Sequence, residues 1–289
     1  MFIPALTSIK TTKKYEDMLN FLVSMQYPSY MISAYDLYYQ PSFELKSKFF
    51  KIINENRNNK KLFLDSGGFE VGNSLKSSKW SLDLLAEVAN TIKPDVLVAY
   101  DEINSPINKN INKSIQFFKD TKRLITYKPV CYEIIIHSND IKEIENYFDY
   151  FLEKVNLDDI FAICIPEREL GHSFGRRCEK LIEIIPLFKK RFLKYQIKFH
   201  LMGCSNPLAI KKYQSLGVGV FDGVHWQDTL IEPGTYNLMD DSWLSEITCD
   251  CKACLKYKEY NKKNQDITES YYNYFVLSHN MEIYSRIEE

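Results

Sequence analysis

Eight short apolar runs recur along the chain, and segments with helical periodicity separate most of them. The runs are rich in β-branched and aromatic residues and span residues 2–6, 30–34, 62–64, 96–100, 130–136, 160–165, 197–202 and 218–224. Runs of this length and composition predict buried strands. Eight strands that alternate with helices predict an α/β fold, a (β/α)8 TIM barrel, and the alternative is a doubly wound parallel sheet.

Three of the intervening segments predict helices most clearly. Apolar residues recur at helical spacing through residues 82–92 and 141–155. A third helix is bounded by Asn206-Pro207 and Gly217, which match the N-cap, first-turn proline and C-terminal glycine of a typical helix.

Ionisable residues or glycine follow the ends of most predicted strands. They are Asp36, Asp65, Asp101, Glu102, His137, Glu167, Gly203 and Asp222. The C-terminal ends of barrel strands share one face, where active sites lie, so we expect these side chains to converge there. For Asp36 and Glu167 the favoured interpretation is a helix cap or a solvated loop position.

Asp65 opens the sequence Asp65-Ser66-Gly67-Gly68-Phe69, directly after an apolar run. A buried strand would carry the Asp65 carboxylate to the edge of the sheet. The two glycines lack a Cβ and would let backbone amides approach a ligand closely. An ordinary tight turn is the alternative, because Asp and Gly are common in turns.

The last part of the chain contains a C-x-C-x2-C cluster, Cys249, Cys251 and Cys254, and His279 follows 25 positions later. Thiolates and imidazole are preferred ligands of Zn²⁺, and four protein ligands leave no open position for catalysis. We therefore predict a structural Zn²⁺ site within a C-terminal subdomain, residues 233–289, that follows a barrel over residues 1–232. The alternative is a group of unliganded thiols. The remaining cysteines, Cys131, Cys164, Cys178 and Cys204, are expected to pack in the core.

The composition limits which cell compartment and which binding partners are expected. No apolar run approaches the roughly 18–20 residues of a membrane helix, and the first residues lack the features of a signal peptide. We expect a cytoplasmic protein without a membrane partner, in which seven cysteines are thiols or metal ligands. The formal net charge of −1 neither favours nor excludes nucleic acid. Basic clusters such as Arg176-Arg177 and residues 189–191 either contact phosphates or face solvent.

Five stretches, in this order along the chain, resemble motifs of the tRNA-guanine transglycosylase superfamily. They are Asp65-Ser66-Gly67-Gly68-Phe69, Tyr100-Asp101-Glu102, His200-Leu201-Met202-Gly203, Gly217-Val218-Gly219-Val220-Phe221-Asp222, and the cysteine cluster with His279-Asn280. The resemblance covers roughly residues 62–289. It implies that guanine in a nucleic acid is exchanged for a 7-deazaguanine base, with Zn²⁺ in a structural role.

The resemblance also implies a role for each matched residue. Asp222 would be the nucleophile that holds the sugar covalently, and Asp65 would be the general acid/base. Paired carboxylates suit this reaction, because its transition state has oxocarbenium character. Asp101 would bind the guanine edge, and Phe69 and Met202 would sandwich the base. The other expected substrate contacts are Ser66, Gly67, Gly68, His137 and Gly203.

Departures from the family pattern affect which nucleic acid and which base the protein is expected to recognise. His137 stands where the family has a base-reading Gln, residues 164–166 replace its Gly-Gly-Leu, and residues 223–228 replace its Pro-Thr-Arg loop. The altered loop favours DNA over tRNA. Trp226, in that loop, either stacks on a neighbouring base or packs in the core.

Several alternatives to this assignment stay open. The chain is alternatively a divergent tRNA enzyme, a hydrolase that releases the base without replacing it, or a non-catalytic nucleic-acid-binding subunit. A homodimer or a partner subunit is equally compatible with the sequence.

Overall fold

Eight parallel strands close into a barrel in the computed structural model, which describes residues 1–6, 12–25, 27–40, 42–55, 57, 59–73, 79–101, 111–128, 131–228, 236–237, 242–243, 251–262 and 269–288. The barrel strands are β1 (Phe2–Leu6), β2 (Ser29–Ser33), β3 (Lys61–Asp65), β4 (Val96–Val98), β5 (Cys131–Ile135), β6 (Ile160–Pro166), β7 (Lys198–Met202) and β8 (Val220–Gly223). Each strand pairs with its neighbours in the chain, and β8 pairs with β1. The predicted TIM-barrel architecture is confirmed, because a doubly wound sheet would leave two open edges.

Helices surround the barrel and follow most of its strands. They are α1 (Thr12–Ser24), α2 (Ala34–Tyr38), α3 (Phe43–Glu55), α4 (Gly68–Asn73), α5 (Leu82–Ile92), α6 (Ile111–Leu124), α7 (Ile141–Lys154), α8 (Phe174–Phe192), α9 (Pro207–Leu216), α10 (His225–Asp228), α11 (Lys252–Lys262) and α12 (Glu269–Glu288). A two-stranded antiparallel pair, β9 (Tyr236–Asn237) and β10 (Ser242–Trp243), lies between α10 and α11 in the chain. No helix in the described ranges combines the length and apolar character that crossing a membrane requires.

The three predicted helices form where their sequence patterns indicate. Helices α5 and α7 bury their apolar stripes against the barrel. The Asn206 side chain caps α9 by accepting hydrogen bonds from the N–H groups of Leu208 at 3.0 Å and Ala209 at 3.2 Å. Gly217 ends the helix with a φ of +110°, a conformation that glycine adopts without strain.

Alternate strand residues form two separate cores. Outward-facing residues pack against the helices, and inward-facing residues such as Ala5, Phe63 and Val98 fill the barrel. Glu133 and His200, with exposures of 0%, are also buried. Among the cysteines expected to pack in the core, Cys164 and Cys204 are buried, whereas Cys131 and Cys178 are half-buried.

Helix α12 packs against the barrel beside β1. The ring of Tyr284 stacks on Phe2 with centroids 3.9 Å apart, and its hydroxyl donates a hydrogen bond of 2.5 Å to the carbonyl of Ser205. The Asn280 side chain donates to the carbonyl of Trp226 at 3.0 Å. These contacts join the C-terminal helix to the first strand, to the loop after β7 and to α10, which follows β8.

Tyr284→Ala should lower the free energy of unfolding by about 3–5 kcal/mol, because it removes a buried aromatic ring and leaves a cavity. Tyr274→Ala is the matched control on the same helix, since Tyr274 is 57% exposed. Its cost should be about 1 kcal/mol or less. Urea unfolding compares the two variants, and equal losses would contradict the described docking of α12.

Candidate active site and candidate metal centre

A cavity of about 320 Å³ lies at the C-terminal end of the barrel, and residues at or just after the ends of the strands line it. This is the face on which TIM barrels carry their active sites. The volume is at the lower end of the range of about 300–1,000 Å³ for small-molecule sites. Seven residues expected from the sequence line this cavity: Asp65, Ser66, Asp101, His137, Met202, Gly203 and Asp222.

Gly67 and Gly68 do not line the cavity but shape its wall. The N–H of Gly67 donates to Asp65 Oδ2 at 3.1 Å. A Cβ at Gly68 would collide with the carboxylate of Asp101, so only glycine lets the start of α4 lie against it. The turn is also held by Trp80, whose Nε1 donates to the carbonyl of Ser66 at 3.0 Å. The side chain of Phe69 lies outside the described residues.

Asp101 is held by two side chains in the cavity wall. Ser66 Oγ donates to Asp101 Oδ1 at 2.5 Å, and His137 Nε2 lies 3.1 Å from Asp101 Oδ2. The other ring nitrogen of His137 is 3.5 Å from Glu169 Oε1. Burial alone lowers the pKa of His137, but its hydrogen bonds to Asp101 and Glu169 outweigh burial and raise the pKa to about 9. His137 is therefore an imidazolium at neutral pH.

The environment of Asp65 favours the protonated, neutral form of its carboxyl group. Burial, followed by the neighbouring charge of Asp101, raises its pKa from 3.8 to about 7, although the hydrogen bond from Gly67 lowers it. The charge of Asp222 raises it further. Asp65 is thus placed to gain or lose a proton near neutral pH.

Glu70 is a cavity residue to which the sequence reasoning gave no role. It lies in α4, is 6% exposed and lines the cavity. Burial and then the charge of Asp65 raise its pKa well above the usual range. Its Oε2 is buried without a hydrogen-bond partner in the described part of the chain. In the sequence, Glu70 directly follows the Asp65 motif, and this position was the signal that could have placed it at the cavity.

One carboxylate oxygen of Asp222, Oδ1, has two hydrogen-bond partners. Oδ1 accepts from the N–H of Gly203 at 2.9 Å and lies 3.0 Å from Nε2 of His200. Gly203 has a φ of +71°, which favours glycine at this position. Oδ2 has no hydrogen-bond partner among the residues that the structure describes.

The favoured interpretations of Asp36 and Glu167 are wrong. Asp36 lies in the first turn of α2 and is 9% exposed, and the N-cap of that helix is Ser33. Glu167 lines the cavity, where Arg177 pairs with it at 2.8 Å and the hydroxyl of Tyr213 donates to it at 3.1 Å. Internal partners therefore replace solvent around Glu167, and Asp36 is buried rather than solvated. Glu102 lies outside the described residues.

Trp226 belongs to the core. Its indole is fully buried and donates from Nε1 to the carbonyl of Ala5 at 2.9 Å, so base stacking is excluded in this conformation. One arginine of each basic cluster is paired with a carboxylate on the same surface: Arg176 contacts Glu179 at 2.9 Å, and Arg191 contacts Asp149 at 2.6 Å. These pairs agree with solvated helix faces.

Cys251, Cys254 and His279 form a buried group that can hold a metal ion. Nδ1 of His279 lies 3.3 Å from the sulfur of Cys251 and 3.2 Å from that of Cys254. In a tetrahedral Zn²⁺ site, sulfur and nitrogen ligands are about 3.5 Å apart, so the three donors fit. Cys249, the fourth expected ligand, lies outside the described residues.

A scan against protein-family models and a search of curated proteins both found no match to this chain. The chemistry of the cavity is therefore assigned from its residues and their geometry.

Asp65→Asn should stabilise the protein at neutral and higher pH. Because the pKa of Asp65 rises from 3.8 to about 7 on folding, the folded state binds more protons in this range and wild-type stability falls as the pH rises through it. The advantage of the Asn variant in Tm should therefore grow between about pH 5 and about pH 8. Asp95→Asn is the control and should lower Tm, since Arg57 pairs with Asp95 at 2.8 Å.

Cys254→Ser should reduce bound zinc well below about one ion per chain and lower the yield of folded protein, because one ligand is lost. Cys178→Ser, which changes a half-buried cysteine on α8, should retain the metal. Elemental analysis with thermal unfolding measures both quantities. A fully folded wild type that contains no zinc would defeat this prediction.

Proposed function

We propose that this protein is a transglycosylase that exchanges guanine in a nucleic acid for a 7-deazaguanine base. One observation carries the proposal: Asp65 and Asp222, two carboxylates with contrasting partners, line one cavity together with Asp101 and His137. Cleavage of a bond between a base and its sugar passes through an oxocarbenium-like state, which paired carboxylates stabilise. The order of motifs that resembles the transglycosylase superfamily supports the same assignment.

Asp222 acts as the nucleophile in this proposal. An oxygen of its carboxylate bonds to C1′ of the nucleotide while the bond from C1′ to guanine breaks, and the electron pair of that bond leaves with the base. Asp65 donates a proton to the departing guanine. Asp65 then takes a proton from the incoming base, whose nitrogen attacks C1′ and releases the Asp222 carboxylate.

The acid/base role of Asp65 is supported by its pKa of about 7. A group that must donate a proton in one half-reaction and accept one in the next works best when its pKa is near the working pH. Burial and the neighbouring carboxylates supply this pKa.

Asp101 is proposed to bind the donor edge of guanine. Ser66 and His137 hold its two oxygens in place, and each oxygen retains capacity to accept from the N1–H and amino groups of the base. Met202, which also lines the cavity, would cover one face of the base. The modest cavity volume suits a single flipped nucleotide, and flipping costs a few kcal/mol.

The donor set of Cys251, Cys254 and His279 would hold a structural Zn²⁺ ion, completed by Cys249. Its contribution would be to the folding of the C-terminal segment, because four protein ligands leave no open position. None of the three described ligands lines the cavity.

DNA is the favoured polymer. Gly223 and Val224 line the cavity where the family has a Pro-Thr-Arg loop, and the following Trp226 is buried. The contact surface expected beside a tRNA substrate is therefore replaced by short residues and core packing.

The test is incorporation of labelled guanine into double-stranded DNA, single-stranded DNA and tRNA, measured separately. Asp222→Asn should abolish incorporation and any covalent adduct between protein and nucleic acid. Asp83→Asn, an exposed carboxylate on α5, is the matched control and should retain both.

Each outcome of this assay distinguishes between the alternative functions. Label in DNA alone supports the proposal as stated, and label in tRNA alone assigns the tRNA reaction instead. Release of guanine without incorporation identifies a hydrolase. No reaction on any polymer by folded, zinc-containing protein would contradict catalysis by this chain alone and favour the binding-subunit alternative.

A further inference from the structure

Three ionisable side chains from three strands form a continuous hydrogen-bonded chain inside the barrel. Nδ1 of His200 lies 2.9 Å from Oε1 of Glu133, and Nε2 of the same ring lies 3.0 Å from Oδ1 of Asp222. Glu133 and His200 have side-chain exposures of 0%, and Asp222 reaches the cavity with 10% exposed. The chain therefore connects the fully buried interior to the floor of the proposed active site.

The surroundings of this chain are apolar. Inward-facing neighbours include Ile135 on β5, Cys164 on β6 and Val220 on β8. Burial of charged groups is costly unless they are paired and hydrogen-bonded. Oε2 of Glu133 nevertheless has no hydrogen-bond partner among the described residues. A buried carboxylate that is only partly satisfied costs stability, which points to a functional reason for its presence.

The chain is held by charge as well as by geometry. Burial alone lowers the pKa of His200, but the charge of Glu133 and the hydrogen bond to Asp222 outweigh burial and raise the pKa well above the usual range. Each ring nitrogen faces a carboxylate oxygen, the arrangement of an imidazolium that donates one hydrogen bond to each of two carboxylates. The groups that face it are Glu133 from β5, Cys164 from β6 and Asp222 from β8.

A bound metal is the competing explanation, because Glu133, Cys164 and His200 lie close enough together to hold one. Both ring nitrogens are already at hydrogen-bond distance from carboxylate oxygens, so a metal would have to displace one of these contacts. Burial also raises the pKa of Cys164 to about 12, which keeps it a neutral thiol rather than a thiolate ligand. Hydrogen bonding accounts for the geometry without an ion.

We infer that His200 and Glu133 are positioning residues for the Asp222 nucleophile, an inference that relies on the proposed function for the identity of the reaction. Both hydrogen bonds to Asp222 end on Oδ1, so they fix the carboxylate and leave Oδ2 for attack on C1′. Asp222 loses its negative charge when the sugar ester forms and regains it when the ester breaks. The imidazolium stabilises the carboxylate that leaves, and Glu133 holds the ring in its orientation and charge state.

The first measurement needs no catalysis. Protein labelled with ¹⁵N in its five histidines is titrated by NMR between about pH 6 and about pH 9, and the His200 signal is identified by its loss in His200→Gln. The ring should remain an imidazolium at pH values where an ordinary histidine, with a pKa of about 6.5, is already neutral. In Asp222→Asn and in Glu133→Gln it should lose its proton at least about one pH unit lower.

The second measurement separates positioning from folding. Glu133→Gln should slow formation of the covalent adduct by about tenfold or more while KM for free guanine changes less than about twofold. Glu143→Gln is the matched control, because Glu143 accepts a hydrogen bond from Ser138 at 2.7 Å and has no part in the chain. It should change neither quantity.

A neutral His200 ring at pH 7 in the wild type would overturn the inference. So would a second zinc ion per chain with the NMR signature of a metal-bound ring. If Glu133→Gln does not fold, the wild-type titration and Asp222→Asn still decide the charge state. An imidazolium in a protein without exchange activity would preserve the chain of hydrogen bonds and refute the assigned reaction instead.

Discussion

The pairing of the first strand with the last is the constraint on which the rest of the molecule depends. Ile3 lies in register with Asp222, and the N–H of Phe221 donates to the carbonyl of Met1 at 2.9 Å. This contact joins residues more than 200 positions apart and turns an open sheet into a barrel. Closure removes both sheet edges and brings the C-terminal ends of all eight strands to one rim. Carboxylates distant in sequence therefore share one small cavity.

The carboxylates gathered at that rim repel one another, and this repulsion is offset by protonation of carboxyl groups and by two histidines. Among the described residues, five acidic and two basic ones line the cavity: Asp65, Glu70, Asp101, Glu167 and Asp222 against His137 and Arg168. Burial and mutual repulsion raise the pKa of Asp65 and of Glu70, so the cavity retains protons near neutral pH. His137 compensates Asp101, and His200 compensates Asp222 from below.

The sequence predicted the fold well because strands and helices are encoded by local patterns. All eight apolar runs became barrel strands, and the ends of α9 follow directly from Asn206 and Gly217. Residues at strand ends could also be predicted to converge, since topology alone brings them together. The chain of Glu133, His200 and Asp222 could not, because it depends on register between strands 67 and 22 residues apart. The only local signal was a charged residue within an apolar strand.

The contrast between the two proposed catalytic carboxylates follows from which neighbours each one has. Asp65 is buried beside other carboxylates, and burial and their charges raise its pKa to about 7. Asp222 is instead paired with an imidazolium and a backbone N–H. In the proposed mechanism these two chemically similar side chains have different tasks: Asp65 donates and accepts protons, and Asp222 is the nucleophile. A substrate that requires both tasks at one carbon, as a nucleotide does at C1′, matches this division. An arrangement serving only to bind nucleic acid would gain nothing from separating the two environments, since binding requires no proton transfer.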